Sequence, residues 1–369
     1  MAGSATTAAL GHRDLFAAAR SGDHDAYRRL IEPHRELLRA HCYRMLGSVH
    51  DGEDALQDAL LRAWRFLPSF GGRSSLRAWL YRIATNACLD LLARRSMRAL
   101  PVDRTRASDP HLGVGEPLAE SVWIEPYPAG DLDDVRVAPE ARYELRESVE
   151  LAFVAALQHL PPLQRAALIM REVLAFSAKE VADALDTTVP AVNSALQRAR
   201  RTVDQRLPER TQQQTLRALG DARLEEIVSA YMDAMAQGDV ERVVALLAED
   251  IAWSMPPLAG WFRGRDDVRV FLENGPLSGR FRWRHLPLRV NGQAAVGTYS
   301  WHGAQEAFVP FALDVLTLRG DRIAEVTAFV ARTPVHDDRA ALADWPNTPA
   351  SAVKTAALFN AHGLPDHLD

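Results

Sequence analysis

Apolar residues recur at three- and four-residue spacing through the first half of the chain and at alternate positions through much of its last third, so two kinds of architecture follow one another. Residues 13–97 read as helix throughout. Within them, 51–67 carries Leu56, Leu60 and Trp64 at four-residue intervals, with Ala55, Ala59 and Ala63 beside them and Glu53, Asp54, Gln57 and Asp58 on another face. The next predicted helix, 74–95, buries Leu76, Trp79, Leu80, Ile83, Ala87 and Leu91 and keeps Arg73, Arg77, Arg82, Asn86, Arg94 and Arg95 off that stripe. Residues 98–144 break the pattern: prolines recur, acids outnumber bases, and the composition reads as an extended acidic linker holding one apolar phrase, Trp123-Ile124-Glu125-Pro126. Residues 145–207 are helical again. There Pro161 and Pro162 open a helix, Ser177 to Glu180 is a capping box, and Thr188 caps a helix with Val192, Leu196 and Ala199 inward and Asn193, Ser194, Gln197, Arg198, Arg200 and Arg201 outward.

After a polar stretch, 223–333 reads as two helices broken at Gly238-Asp239, a strand at 251–255, a helix at 265–273, and strands at 281–290, 294–301, 308–318 and 323–330. Asn291-Gly292 and Gly320-Asp321 are hairpin signals, so the strands are expected to run antiparallel. A tail, 334–369, carries one short helical pattern.

Composition narrows the function. The 369 residues suit two or three domains, and a 47% apolar, 25% charged balance supports real cores. A net charge of −5 argues against coating DNA by bulk electrostatics, but not against local basic stripes assisted by a partner. No apolar run is long enough to span a membrane and no leader pattern opens the chain, so a cytoplasmic protein is expected. Cys42 and Cys88 read as buried, reduced core residues; neither a metal nor a cofactor is expected.

The run from Asp51 to Arg95, with an acidic helix, the Ser69-Phe70-Gly71-Gly72 loop and an Arg-rich helix in that order, resembles region two of the sigma-70 family, in its extracytoplasmic-function group. The resemblance implies that Asp54, Gln57, Asp58 and Leu61 dock on core RNA polymerase. It also implies that Phe70, Arg73, Arg77, Arg82 and Asn86 engage the minus-10 element, with Phe70 and Asn86 lining a pocket for a flipped-out base. Leu160 to Arg201 resembles sigma region four, a helix-turn-helix that binds the minus-35 element in the major groove. Thr188, Ala191, Asn193, Ser194, Gln197, Arg198 and Arg201 are its implied DNA-facing residues. Asp186 stands in the turn where the family usually has glycine, and Ala191, Asn193 and Ala195 stand where relatives often place larger polar or basic residues. Weaker phosphate contacts and greater reliance on core polymerase follow.

The order of elements after Arg223 and the phrase MPPLAGWFRGRDDVRVFL resemble the SnoaL-type, NTF2-like cone. The expected fold is therefore multidomain: two all-α sigma domains, a helical bundle and a helix-turn-helix, plus an α+β cone. Asp314 alternates with Ala312, Leu316 and Leu318, which places a carboxyl on an apolar face; with Trp253, Trp261 and His285 it is a candidate pocket residue. Three functions fit: a sigma factor regulated by its C-terminal domain, a sigma factor carrying an active isomerase or hydrolase, or a non-sigma helix-turn-helix regulator. The polymerase-docking helix disfavours the third, and regulation without catalysis is the expectation. Expected partners are core RNA polymerase and promoter DNA, with an anti-sigma factor or a small-molecule ligand of the C-terminal domain as further candidates.

Overall fold

The computed structural model describes residues 12–72, 74–115, 117–119, 122–128, 145–332, 345, 348 and 351–369. The chain divides into two compact units: residues 1–95 with 160–201, and 96–159 with 202–369.

In the first unit, four helices form the N-terminal bundle: α1 (His12–Arg20), α2 (His24–Leu46), α3 (Val49–Phe66) and α4 (Leu76–Leu92). Each of the last three starts at a polar cap. Asp23, Ser48 and Ser75 accept from backbone N–H groups one turn ahead, which fixes where the helices begin. Gly47 at φ 66° ends α2 in the left-handed conformation, which lets α3 fold back on it. Leu38, Met45, Leu56, Ala59, Leu80, Ala84 and Cys88 fill the interior, and His41 is bonded to Thr85 across it at 2.9 Å. Burial, with Arg44 adding to it, drives the His41 imidazole down to about 3, so it is neutral.

The same unit contains a helix, Pro162–Leu168, that continues through a π turn to Val173, then Ala178–Ala184 and Val189–Asp204. Arg165, buried and with its guanidinium lowered to about 10 by that burial, donates to the carbonyls of Met45 and Leu160. Its charge thereby caps the end of α2 and ties this segment to the bundle. Ser177 and Glu180 form the expected reciprocal capping box. Asp186 takes φ 51° in the turn before the last helix, the left-handed geometry that glycine would adopt without strain.

The second unit is built on a six-stranded sheet in the order β2-β1-β6-β5-β4-β3, with β1 at Leu247–Ser254, β2 at Trp261–Arg263, β3 at Trp283–Val290, β4 at Gln293–His302, β5 at Ala307–Arg319 and β6 at Arg322–Val330. The hairpins β3–β4, β4–β5 and β5–β6 are antiparallel, but β1 pairs with β6 in parallel. The sheet is mixed rather than wholly antiparallel. In the chain β1 and β6 are separated by β2, the Arg265–Asn274 helix and β3 to β5, so no turn joins them and the tertiary core sets that pairing. The helix Asp221–Gln237 packs across β3 and β4, and the Arg265–Asn274 helix beside β1 and β2. On the other face, the C-terminal helix Ala352–Leu358 leads to Phe359, whose ring meets Tyr299 edge-on at 5.2 Å. With both faces covered, β4 and β5 are buried at almost every position.

The linker is not free. Ser108, Gly260 and Leu118 amides bond to Trp261, Val114 and Pro257 carbonyls at 2.7, 3.1 and 2.9 Å. Val114, Trp123, Ile124 and Tyr127 are buried, and Trp123 donates its indole N–H to the Pro257 carbonyl at 3.0 Å. A Cβ on Gly260 would stand 2.2 Å from the Val114 carbonyl oxygen, so only glycine permits this approach. Residues 129–144 of the linker lie outside the described residues.

Candidate nucleic-acid interface and a buried polar site

On α3, Ala55, Leu56, Ala59 and Ala63 turn inward. Asp54, Gln57 and Leu61 share the exposed face at helical spacing, and Leu61 is 59% exposed. Asp58 is partly exposed and pairs with Arg62 at 2.7 Å, which also reaches Asp90 at 2.9 Å.

Phe70 follows a single 3-10 turn, Leu67–Ser69. Its ring leans on Trp79 at 4.9 Å and meets Phe16 edge-on at 5.7 Å. Ser69, Phe70, Gly71, Ser74, Trp79 and Arg82 form one side of a cavity of about 540 Å³, and Ala182, Asp183, Asp186 and Thr187 form the other. Asn86 is exposed one turn further along α4 and does not line that cavity. Arg77 points elsewhere: it donates to the Leu174 carbonyl at 2.8 Å and lies over the Phe176 ring at 4.4 Å and Tyr81 at 5.4 Å. Arg73 lies outside the described residues.

Thr188, Ala191, Asn193, Ser194, Gln197, Arg198 and Arg201 are all exposed, while Val192, Leu196, Ala199 and Val203 bury the opposite face of the Val189–Asp204 helix. Thr188 Oγ1 accepts from the Ala191 amide at 3.4 Å. Arg200 pairs with Glu172. One side of this helix is thus exposed along its length.

In the second unit the candidate polar groups are internal. Asp314 is 3% exposed on β5, and its Oδ2 accepts from the Tyr231 hydroxyl at 3.2 Å and from Thr298 Oγ1 at 3.0 Å. Burial pushes its carboxyl up to about 6, against the pull of those two donors, and drives the Tyr231 phenol up as well. Trp253 and Asp314 both line a cavity of about 40 Å³ with Phe271, Trp283, Phe311 and Trp345. Trp261 and His285 do not. Trp261 faces the linker, giving its indole N–H to the Thr105 carbonyl at 3.1 Å. His285 sits opposite Thr298 in the β3–β4 register, held down to about 4 by burial, and neither ring nitrogen finds a partner among the described residues.

A second polar cluster, unforeseen in the sequence, surrounds the β3–β4 turn. Asn291 and Gly292, at φ 54° and 70°, make the two-residue turn. Asn291 exchanges two bonds with the backbone of Tyr127, at 2.8 and 2.9 Å, and donates to the Val149 carbonyl at 2.7 Å. Gln293 Oε1 accepts from the Leu151 amide at 2.9 Å. Beside them Glu150 accepts from the Gln212 and Gln213 amides at 3.0 and 2.7 Å, its carboxyl raised to about 7 by burial. Asn-Gly alone signals a hairpin; its partners lie more than a hundred residues away in sequence.

Among the described residues no group of three or more His, Cys, Asp or Glu could hold a metal ion, and no helix is long and apolar enough to cross a membrane.

Comparison with known proteins fits these surfaces. Residues 30–98 match Sigma-70 region 2, residues 150–203 match Sigma-70 region 4, and residues 228–326 match the SnoaL-like domain. The ECF RNA polymerase sigma factor SigG of Mycobacterium tuberculosis is 41% identical over 315 residues, covering 85% of this chain and 83% of its own. SigW of Bacillus subtilis is 27% identical over 191 residues, 51% of this chain and 92% of its own. The crystal structure of the M. tuberculosis extracytoplasmic-function sigma factor SigJ superposes with a TM-score of 0.52 at 22% identity, over 88% of this chain and 97% of that one. This chain belongs to the extracytoplasmic-function sigma factors, with a SnoaL-like domain fused after region four. It directs RNA polymerase to promoters.

Proposed function

We propose that the fused domain regulates this sigma factor by holding the connector between its two promoter-reading regions, and that it does so by binding rather than by catalysis. The observation that carries this reading is the Asn291–Gln293 turn: it grips Tyr127 on one side and Val149 and Leu151 on the other. Tyr127 lies within the segment that joins region two to region four, and Val149 and Leu151 stand where region four begins. By their names the minus-35 and minus-10 elements are about 25 base pairs apart, roughly 85 Å along B-DNA at about 3.4 Å per pair. In the first unit the Arg77–Leu174 bond instead keeps both DNA-reading surfaces within one compact body, a resting form that must open to read both elements.

In the opened form, Asp54, Gln57, Asp58 and Leu61 dock on core polymerase. Phe70, Arg73, Arg77, Arg82 and Asn86 meet the minus-10 element. Thr188, Ala191, Asn193, Ser194, Gln197, Arg198 and Arg201 meet the minus-35 element. The protein acts in the cytoplasm with core polymerase and promoter DNA.

Run-off transcription with purified core polymerase, on DNA upstream of the protein's own gene and on a promoter library, tests the reading. A chain ending at Arg210, and the full chain with Asn291→Ala, are expected to change output in the same direction. Output equal to the intact protein on every promoter would end the regulatory reading.

A further inference from the structure

The cavity over Asp314 has one polar tip and aromatic walls. Trp253, Phe271, Phe281, Trp283, Phe311 and Trp345 supply rings, and among the described residues that line it there is no lysine, arginine or histidine. Both protein donors to Asp314 fall on Oδ2; among the described residues Oδ1 receives none. That oxygen is reachable from the cavity, and a visitor that brings it both a donor and a positive charge gains most from entering. Aromatic faces favour the same visitor, because their quadrupoles attract a cation stripped of water. A carboxylate ligand is excluded by the charge of Asp314 itself.

We propose that this cavity binds a small apolar amine in its protonated form, which gives its N–H to Asp314 Oδ1 and lays its alkyl groups against the rings. Trp345 covers the mouth as an internal competitor. Its indole is held by the Arg332 carbonyl at 2.6 Å and meets Phe311 edge-on at 5.2 Å. The cavity of about 40 Å³ is too small for more than a few atoms while Trp345 is seated, so binding requires it to move. Phe271 and Trp345 also line a neighbouring cavity whose far wall is Pro110 to Val114 of the connector. Displacing Trp345 therefore loosens the seat of the connector. That extension rests on the regulatory reading above, so the site is tested by binding and not by transcription.

tert-Butylamine and tert-butanol have nearly the same shape and carry their donors at the same position, but only the first is charged near neutral pH. Each is titrated into the full chain while the indole N–H resonances of its eight tryptophans are followed by NMR. The amine is expected to shift Trp253, Trp283 and Trp345, with tert-butanol at least about tenfold weaker and pivalate inert. Asp314→Asn should weaken the amine by about tenfold or more, and Trp345→Ala should tighten it roughly threefold to tenfold by removing the competitor. Equal affinity for tert-butanol, or unchanged amine affinity in a folded Asp314→Asn chain, overturns the proposal. So does failure of the amine to bind the Trp345→Ala chain, which tests the site even if Asp314→Asn does not fold.

Discussion

The two units place their polar chemistry in opposite settings. In the first, Asp54, Gln57, Arg82, Asn86, Gln197, Arg198 and Arg201 stand in water, on helices whose other faces are packed. In the second, Asp314, Asn291, Gln293 and Glu150 are buried and bonded to the backbones and side chains of their neighbours. Exposed charges wait for a macromolecule and are screened by salt; buried ones are insulated from salt but answer to protons. The first unit should therefore respond to ionic strength and the second to pH.

The largest effect that would sharpen this contrast lies in the recognition helix. Arg198→Ala with Arg201→Ala should weaken promoter binding by the holoenzyme by about 10- to 100-fold and lower the salt slope by roughly 2, as expected for two lost groove or phosphate contacts. An unchanged slope in a filter-binding series would remove these residues from the interface.

Next comes Asp314. Its carboxyl titrates at about 6 in the folded chain against an ordinary 3.8. Between those values the native form holds more protons than the unfolded one, so stability falls as pH rises through the interval. Asp314→Asn should flatten the unfolding midpoint of the second unit between pH 4 and 6 and remove a swing of up to about 3 kcal/mol. Glu150, raised to about 7, has the same sign and extends the decline toward neutrality. A wild-type midpoint that rises over this range would break the contrast.

Arg77 tests the rule in the first unit, because among the residues expected at DNA it is turned inward. Arg77→Ala should destabilise that unit by about 1–2 kcal/mol, through a lost charged hydrogen bond and ring contact, with little dependence on salt. Thermal melts at low and high salt measure it. The smallest effect belongs to the turn: Asp186→Gly should stabilise by at most about 1 kcal/mol, since glycine takes φ 51° freely but loses more freedom on folding.

Much of this was legible in the sequence where information is local. The capping box at Ser177, the strained turn at Asp186 and the outward set on the recognition helix all depend on residues within a few positions of one another. Asp314 on an apolar face followed from alternation alone. What could not be read was partnership at distance. Nothing near Asn291 announces Tyr127, Val149 and Leu151, and the composition of the linker hides that Val114 and Trp123 are buried. Trp261 and His285 share the aromatic and imidazole chemistry of a pocket, yet strand order and the docked linker turn the first outward from it and leave the second beside it. β2, with three residues, is too short to show a period. Trp345, the residue that closes the cavity, comes from a tail whose pattern suggests only a short helix.

The contact at Gly260 has a genetic consequence. Any side chain there collides with the carbonyl of Val114 and pushes the connector away, while Gly260 itself is not among the residues assigned to polymerase or DNA. A selection for strains in which this regulon is permanently switched on should return substitutions of that one glycine, each a single-codon change that unlocks the factor without touching the parts that read the promoter.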